Sequence, residues 1–437
     1  MVETLAPAPR AVCFALLSMT FIMIKRMVHR LGFGLSRELW LVVLGMFLNY
    51  LGYGAVLPFE VIYLHDGRGF SLGIAGLVVG LVTGAAVLIS PLAGPLIDRF
   101  GARATATGAG VALAAGYAGL AFAHSPALAF AAGALAGIGN GALNPSQSTL
   151  LAALASPDIR HRVTAVSRVA SNAGIGLGSA VGGLVAGYGL NGFILLFLAN
   201  ALTYLIYVIV LVAVVRDDVR PESMTGGYRL VLRDRAFMHL AFLNVAIIGV
   251  GWGVFTWLMP PFAEEQIGIS TRLIGLLLLA NAVTVVLAQV PVAKFAEGRR
   301  RVVMMTLAAS IFVFACLLVV FAGISPLLAF PTLVAASIIV GVGECFHTTV
   351  LMPLVADLAP ANLRGRYMAA IGLSWWVGLA LAPTLGTQVL SFSPMAAFFA
   401  SAGVAAIAAI SALALERRLP DVSRLTPQPR AATDSAD

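Results

Sequence analysis

Charged residues are scarce in this 437-residue chain: 11% are Asp, Glu, Lys or Arg, whereas 60% are hydrophobic. The mean hydropathy is +0.97. A soluble domain carries about a quarter charged residues to cover its surface with groups that water solvates. The composition therefore excludes a soluble fold and predicts an integral membrane protein in contact with the lipid bilayer.

Cysteine is also scarce, and the three residues, Cys13, Cys316 and Cys345, all lie in apolar runs. Their spacing fits neither a disulfide pair nor a metal site, so we interpret them as small buried hydrophobic residues. The chain lacks a P-loop, a nucleophile elbow and the His-Glu-x-x-His and His-x4-Asp motifs. We therefore expect no catalytic residue, no cofactor, no metal and no ATP-driven pumping by this chain.

The sequence contains many long apolar runs. A membrane-spanning helix needs roughly 20 apolar residues, and twelve runs are long enough to provide one. They cover approximately 39–64, 71–97, 104–123, 127–155, 163–189, 192–215, 237–262, 272–296, 302–322, 327–355, 367–390 and 395–415.

The net charge of +8 follows the topology of these runs. Nearly all of the 27 Lys and Arg fall in loops or span ends on one side, as expected for cytoplasmic segments. We predict a multi-pass protein of the cell (inner) membrane with both termini in the cytoplasm. Because the basic excess reflects topology, we expect no nucleic-acid partner.

The spans divide six and six around a hydrophilic segment. We predict an amino-terminal bundle at 38–215, a cytoplasmic linker at 216–236, a carboxy-terminal bundle at 237–415 and a cytoplasmic tail at 416–437. The apolar stretch 11–24 precedes its positive charges, so it does not resemble a signal peptide. We interpret residues 1–37 as an amino-terminal extension, of which residues 1–26 precede the natural start that we expect at Met27.

A weak internal repeat relates the two sets of six spans. Its matches at an offset of 199 are Gly52-Tyr53-Gly54 with Gly251-Trp252-Gly253, Ser71 with Ser270, Gly76 with Gly275, and Asp98 with Glu297. At an offset of 204, Gly137-Ile-Gly139-Asn140 matches Gly341-Val-Gly343-Glu344. The repeat predicts an all-α membrane fold of two pseudo-symmetric six-helix bundles that rock against each other.

The loop between the second and third spans reads Gly94-x-x-x-Asp98-Arg99-x-Gly101-x-Arg103. It resembles the signature loop of the major facilitator superfamily, and with the repeat the resemblance covers roughly residues 38–415. The resemblance implies secondary transport by alternating access, with Asp98 latching onto the amino terminus of the eleventh span, where the helix dipole favours an anion. A solvated topology loop is the alternative. The predicted latch residues are Gly94, Asp98, Arg99, Gly101, Arg103, Glu297 and Arg364.

Small residues recur at four-residue spacing in the fifth span. This pattern resembles the signature of the twelve-span drug:proton antiporter branch, although Ser179 stands where that pattern usually has proline. Such spacing lets helix backbones pack closely, and it also occurs in ordinary bundles. An arginine that drug antiporters often carry in the fourth span is replaced by Gly133. The predicted packing residues are Gly174, Gly178 and Gly182, with Gly378 and Pro383 in the second half.

Ionisable groups inside a membrane are costly, so each is a functional hypothesis. Glu344 lies mid-span with His347 one turn further on, and we predict that both take part in proton coupling, opposite the repeat partner Asn140. A buried structural Glu–His pair, or a bond between Glu344 and a polar neighbour, is the alternative. Glu60 is either an interfacial carboxylate or a further proton-coupling residue. Arg168, near the inner end of the fifth span, is expected to snorkel or to pair with a loop acid.

Polar and aromatic residues within the spans are candidates for substrate contact. We predict that the substrate cavity contains Asn49, Tyr53, Asn140, Asn144, Trp252, Trp375 and Trp376. Aromatic rings with few hydrogen-bonding groups and an acid suit an amphipathic or cationic organic molecule. Trp257, by contrast, fits an interfacial anchor.

Together these features predict a monomeric secondary active transporter, most simply a proton-coupled exporter of small amphipathic or cationic compounds such as drugs. A proton symporter or facilitator for uptake of a metabolite, and a lipid flippase, are the alternatives. The sequence leaves open the substrate, the direction of transport and the coupling ion.

Overall fold

The computed structural model describes residues 35–156, 159–215, 229–360 and 363–426. Within these ranges, twelve helices are long and apolar enough to cross a membrane. They are α1 Arg37–Gly67, α2 Leu72–Phe100, α3 Ala102–Ala121, α4 Pro126–Leu154, α5 Arg162–Ala186, α6 Leu190–Val214, α7 Arg235–Glu265, α8 Thr271–Ala296, α9 Arg301–Ile324, α10 Pro326–Leu358, α11 Arg364–Phe392 and α12 Pro394–Arg418. The predicted all-α fold with twelve spans is confirmed. The proposed start at Met27 and most of the predicted linker lie outside the described residues.

Local sequence signals explain where several helices begin. The hydroxyls of Ser36, Ser71 and Ser125 each accept a hydrogen bond from the backbone amide three residues on. The Asp234 carboxylate accepts from the amides of Ala236 and Phe237. These side chains satisfy amides that have no partner within the helix, which fixes the start of each helix.

Two helices contain π-helical segments. One covers Tyr63–Gly67 at the end of α1, and the other covers Gly249–Val254 in the middle of α7. The second contains Trp252, one of the predicted cavity residues. Because a π-helical turn is wider than an α-helical turn, it changes the direction in which the following side chains point.

The two halves contact each other through α2 with α11 and α5 with α8, and the two contacts are related by the sequence repeat. A Cβ atom at Gly76 in α2 would meet Pro383 and Thr387 in α11. A Cβ at Gly275 in α8 would meet Ser179 and Gly183 in α5. Glycine at both repeat positions therefore lets the backbones touch.

The halves are joined at only one end of these helices. Along α2, Gly73, Gly80 and Gly84 also face α11, whereas a Cβ at Gly94, nearer the signature loop, would have nothing within 4 Å. The joined end is the one predicted to be extracellular. With that topology, the molecule is in an inward-facing conformation.

The first part of the predicted tail packs against the loop between α8 and α9. Glu416 forms an ion pair with Arg300 at 3.3 Å. The Arg301 amide donates to the Arg424 carbonyl at 2.9 Å, and the Arg299 amide donates to the Thr426 hydroxyl at 3.1 Å. Up to Thr426 the chain therefore forms part of the folded carboxy-terminal half.

Candidate functional site

Glu344 lies at a cavity between the two halves, which we call the interhalf cavity. Its volume is about 40 Å³, enough for a few water molecules. The wall combines Leu57 of α1 and Asn172 of α5 with residues of α7, α8 and α10. The Asn281 side-chain amide, from α8, donates to Glu344 Oε1 at 3.1 Å. The acid predicted from the repeat therefore reaches a surface that both halves share.

Apart from Glu344, the residues that line the interhalf cavity are uncharged, and most of them are apolar. Gln289 Nε2 donates to the Thr349 hydroxyl at 3.1 Å, and the Thr348 hydroxyl donates to the Glu344 carbonyl at 2.9 Å. Among the described residues, no Lys, Arg or His forms an ion pair with Glu344. An unbalanced carboxylate at this depth is costly unless water, a proton or a cation compensates its charge.

His347 lies behind Glu344 in a smaller cavity. Both side chains line it, together with Trp252 and Trp375, whose ring centroids are 6.2 Å apart. His347 is fully buried, and its Nε2 has no hydrogen-bond partner in the described structure. Trp376 is half-buried and lines neither cavity.

A larger cavity of about 320 Å³ lies in the amino-terminal half, and we call it the amino-terminal cavity. Its residues are Met46, Tyr50, Asn144, Gln147, Ser148, Leu151, Ala152, Val163, Thr164, Ser167, Arg168 and Ser171. The Tyr50 hydroxyl donates to Asn144 Oδ1 at 3.4 Å. Arg168 is exposed, as expected for a side chain that snorkels, and no described acid forms an ion pair with it.

With Trp376, four predicted cavity residues line none of these three cavities. Asn49 and Asn140 are buried in the amino-terminal half, and Tyr53 is half-buried against its core. Asn140 therefore does not face Glu344 across the interhalf cavity. The repeat position did not determine the direction of the Asn140 side chain.

Glu60 forms a buried hydrogen-bonded link between the halves. The Tyr117 hydroxyl of α3 donates to its Oε1 at 3.1 Å, and the Trp257 indole of α7 donates to its Oε2 at 3.0 Å. The interfacial alternative for Glu60 is wrong, because the residue is 3% exposed. The prediction of Trp257 as an interfacial anchor is also wrong, because it is buried beside Glu60. The 199-residue offset of the repeat aligns Trp257 with Pro58, which is close to Glu60 in the sequence. The alignment therefore predicts that Trp257 and Glu60 lie at a similar depth, and it could have identified this pair.

Two other polar contacts join the halves near Glu60. Gln388 Nε2 donates to the Gly73 carbonyl at 3.0 Å, and His65 Nε2 lies 3.8 Å from a Glu265 carboxylate oxygen. Like the Glu60–Trp257 bond, both contacts are at the joined end. Breaking this set of contacts is necessary for the halves to separate there.

The latch residues are at the separated end. Asp98 is exposed, and Gly101 has φ +86°, which a residue with a side chain rarely adopts. Arg103 donates to the Val212 carbonyl in the last turn of α6 at 2.7 Å. Arg103 thus pairs with a helix carboxy terminus within its own half and not across the gap between the halves.

The environments of the other predicted latch residues also indicate that the latch is not closed. The Arg99 guanidinium lies 5.1 Å from the centroid of the neighbouring Phe100 ring. Glu297 and Arg364 are exposed. Residues 361 and 362, just before α11, lie outside the described residues. In the described part of the chain, α2 and α11 are apart at this end.

The predicted packing glycines lie where helices approach closely. Gly174, Gly178 and Gly182 of α5 face the α1 backbone at Phe47, Leu51 and Ala55. In the second half, Gly378 faces the α7 backbone at Val245 and Gly249. Pro383 instead faces Gly76 in the contact between the halves.

Comparison with known proteins agrees with this architecture. The family model described as Major Facilitator Superfamily matches residues 42–260 and 241–436. An uncharacterized MFS-type transporter of Bacillus subtilis, YttB, is 29% identical over 362 residues, covering 80% of this chain and 88% of that protein. The multidrug resistance protein MdtH of Aeromonas hydrophila is 25% identical over 357 residues, covering 79% and 85%.

Solved structures share the fold at low sequence identity. A crystal structure of the peptide transporter POT in complex with sulfate has a TM-score of 0.72 at 18% identity, covering 89% of this chain and 96% of that chain. A D-xylose–proton symporter has a TM-score of 0.71 at 18% identity, covering 89% and 98%. This chain belongs to the Major Facilitator Superfamily and is a multi-pass membrane transporter, not an enzyme.

Proposed function

We propose that this transporter exports small amphipathic organic compounds, cations among them, in exchange for protons, and that Glu344 binds the coupled proton. The observation that carries the proposal is the position of Glu344 at the interhalf cavity, with an amide donor and no cationic partner among the described residues. Alternating access exposes a site between two rocking halves to each side of the membrane in turn.

The chemistry of a single acid explains the exchange. A proton and a cationic group of a substrate each neutralise Glu344, and neutralisation lowers the cost of holding the group within the membrane. The two cannot do so together, so binding of one favours release of the other. His347, beside Glu344 in the smaller cavity, is the group that exchanges a proton with it.

Glu60 acts as a second proton-sensitive group. Its bond to Trp257 crosses between the halves, so the bond breaks when this end opens and the carboxyl then meets water. We propose that protonation of Glu60 accompanies the opening, because a protonated carboxyl depends less on the indole donor.

The signature loop acts at the other end. In the outward-facing conformation, α2 and α11 come together there, and Asp98 accepts hydrogen bonds from the amides at the start of α11. The exposed Asp98 in the present conformation fits a latch that is open. The excess of Lys and Arg at this end supports a cytoplasmic location for both termini in the inner membrane.

The name of one relative supports export as the direction of transport. MdtH is named a multidrug resistance protein, whereas YttB is uncharacterized. The cavities mix aromatic, aliphatic and hydroxyl side chains, a combination that suits amphipathic organic compounds.

Proton movement in proteoliposomes that contain a pH-sensitive dye tests the proposal. Lipophilic cations and antibiotics are screened with wild-type protein, Glu344→Gln and Glu38→Gln. The last is a matched control, because Glu38 is an exposed acid at the start of α1 and lines neither cavity.

We expect proton flux opposite to substrate flux in the wild type and in Glu38→Gln, and none in Glu344→Gln. Substrate movement without proton flux, unchanged in Glu344→Gln, would instead identify a facilitator or a flippase. Proton flux in the same direction as the substrate would identify a symporter.

A further inference from the structure

Arg168 places a positive charge inside the amino-terminal cavity. It lies six residues into α5 from Arg162, which is about 9 Å along the helix axis. Its side chain is exposed and lines the cavity of about 320 Å³. An arginine at this depth is expensive unless water, a partner or a ligand solvates it.

The cavity contains no counterion for this charge. None of its lining residues is Asp or Glu, and the guanidinium has no ion-pair or hydrogen-bond partner within the described residues. The polar residues that share the wall are hydroxyls and amides, which can donate hydrogen bonds: Tyr50, Asn144, Gln147, Ser148, Thr164, Ser167 and Ser171. The hydroxyls of Ser167 and Ser171 donate to backbone carbonyls of α5, and the Tyr50 hydroxyl donates to Asn144. The cavity is thus positively charged, and the amides of Asn144 and Gln147 and the Ser148 hydroxyl are the donors available at its wall.

We propose that this cavity binds the oxyanion group of an organic substrate, a carboxylate, sulfonate or phosphate ester, with Arg168 as its main ligand. A guanidinium donates two parallel hydrogen bonds to such a group, and the charge makes these bonds stronger than neutral ones. The amides of Asn144 and Gln147 and the Ser148 hydroxyl supply further donors. This inference rests on the proposed function for the transport of the bound compound, but its binding chemistry is separate from the proton site.

The position of the oxyanion site also defines the rest of the substrate. Ser171 lines the amino-terminal cavity, and the next residue of α5, Asn172, lines the interhalf cavity. The two cavities therefore adjoin along α5, with Arg168 at one and Glu344 at the other. A substrate that spans both carries an oxyanion at one end and a cationic or neutral polar group at the other.

Binding of two dyes with the same tricyclic skeleton and opposite charge tests the site. Fluorescein is an organic carboxylate dianion and rhodamine 123 is a cation, and fluorescence anisotropy measures the affinity of each. The protein is held in nanodiscs of phosphatidylcholine, so that no anionic lipid headgroup competes. The variants are Arg168→Gln, Arg168→Lys and Arg162→Gln, the last an exposed arginine of the same helix outside the cavity.

We expect Arg168→Gln to weaken fluorescein binding by about 10- to 100-fold, the loss typical of one charge-assisted hydrogen-bonded pair. Rhodamine 123 binding stays within about twofold of wild type, Arg168→Lys keeps part of the fluorescein affinity, and Arg162→Gln changes neither. If Arg168→Gln does not fold, Arg168→Lys and a salt titration of the wild type test the proposal instead. Lysine keeps the charge but cannot form the two parallel hydrogen bonds of a guanidinium.

The proposal is overturned if fluorescein binds the wild type no more tightly than it binds Arg168→Gln. It is also overturned if fluorescein does not bind the wild type at all. Equal weakening by Arg162→Gln also overturns it, because the effect would then be a general surface charge. Adding phosphatidylglycerol to the nanodiscs tests the lipid alternative: if it abolishes fluorescein binding, the site holds a headgroup and not a soluble substrate. Proton exchange through Glu344 is measured separately, so its failure does not affect this result.

Discussion

Single side chains determine how firmly the halves are joined at the end predicted to be extracellular. Trp257 donates to Glu60 from the opposite half, and both groups are buried. The bond exists only while this end is closed. A buried acceptor that loses its donor costs about 1–3 kcal/mol, so this one bond can change the balance between conformations by a factor of about 5 to 150.

We predict that Trp257→Phe shifts the protein toward the outward-facing conformation, because the ring is kept but the indole donor is lost. The reporter is Thr387→Cys, whose position is fully buried between the halves, and its rate of reaction with a charged thiol reagent measures opening. The rate should rise about 5-fold or more. In a Glu60→Gln background the same change should have a smaller effect on the reaction rate, because the carboxylate that accepts from the indole is absent. Equal effects in both backgrounds would contradict the assignment.

The sequence could predict the residue types at these sites but not all of their directions. Glu344 is identified by its charge and by the repeat, and it lies at the interhalf cavity. Asn140 occupies the repeat position of Glu344, yet its side chain is buried in the amino-terminal half. One residue corresponds to about 100° of helix rotation, so uncertain span boundaries leave the direction of a side chain undetermined.

At the scale of helices, the contact between the halves depends on small residues at two repeat-related positions. Gly76 meets the α11 backbone at Pro383, and Gly275 meets the α5 backbone at Ser179. The sequence pattern predicted twelve helices because apolar length is a strong signal. It assigned Pro383 to packing but did not identify its partner, since contacts between distant helices leave no periodic signal in either one.

We predict that Gly76→Val and Gly275→Val each separate the halves at this contact. The added atoms would overlap backbone, and overpacking of this kind costs about 1–3 kcal/mol. Transport should fall strongly, and the Thr387→Cys reaction rate should rise in Gly275→Val. Gly108→Ala is the control, because a Cβ there would have nothing within 4 Å. Unchanged transport in both valine variants would show that the contact is not needed.

At the scale of the whole molecule, alternating access requires two sets of contacts that are not formed together. The contacts of Glu60, Gly73 and His65 join one end in the present conformation. The signature loop at the opposite end is open, with Asp98 exposed. Each set stabilises one conformation, so weakening either set should move the equilibrium in a direction that can be stated in advance.

We therefore predict opposite effects from the two ends. Asp98→Asn removes the negative charge that favours a helix amino terminus, a contribution of about 0.5–2 kcal/mol, and should lower the Thr387→Cys reaction rate. Trp257→Phe should raise the rate, and the double variant should lie between the two single variants. Glu38→Gln, an exposed acid at the start of α1, should leave the rate unchanged.

The distance between Asp98 and Trp257 determines whether the effects of their substitutions on the Thr387→Cys reaction rate are additive. Changes at separate sites add when they share no partner, and Asp98 lies at the separated end of the molecule whereas Trp257 lies at the joined end. The logarithm of the reaction rate in the double variant should therefore equal the sum of the two single effects. A double variant that behaves like Trp257→Phe alone would mean that the signature loop does not act as a latch, and that the closed end alone sets the equilibrium.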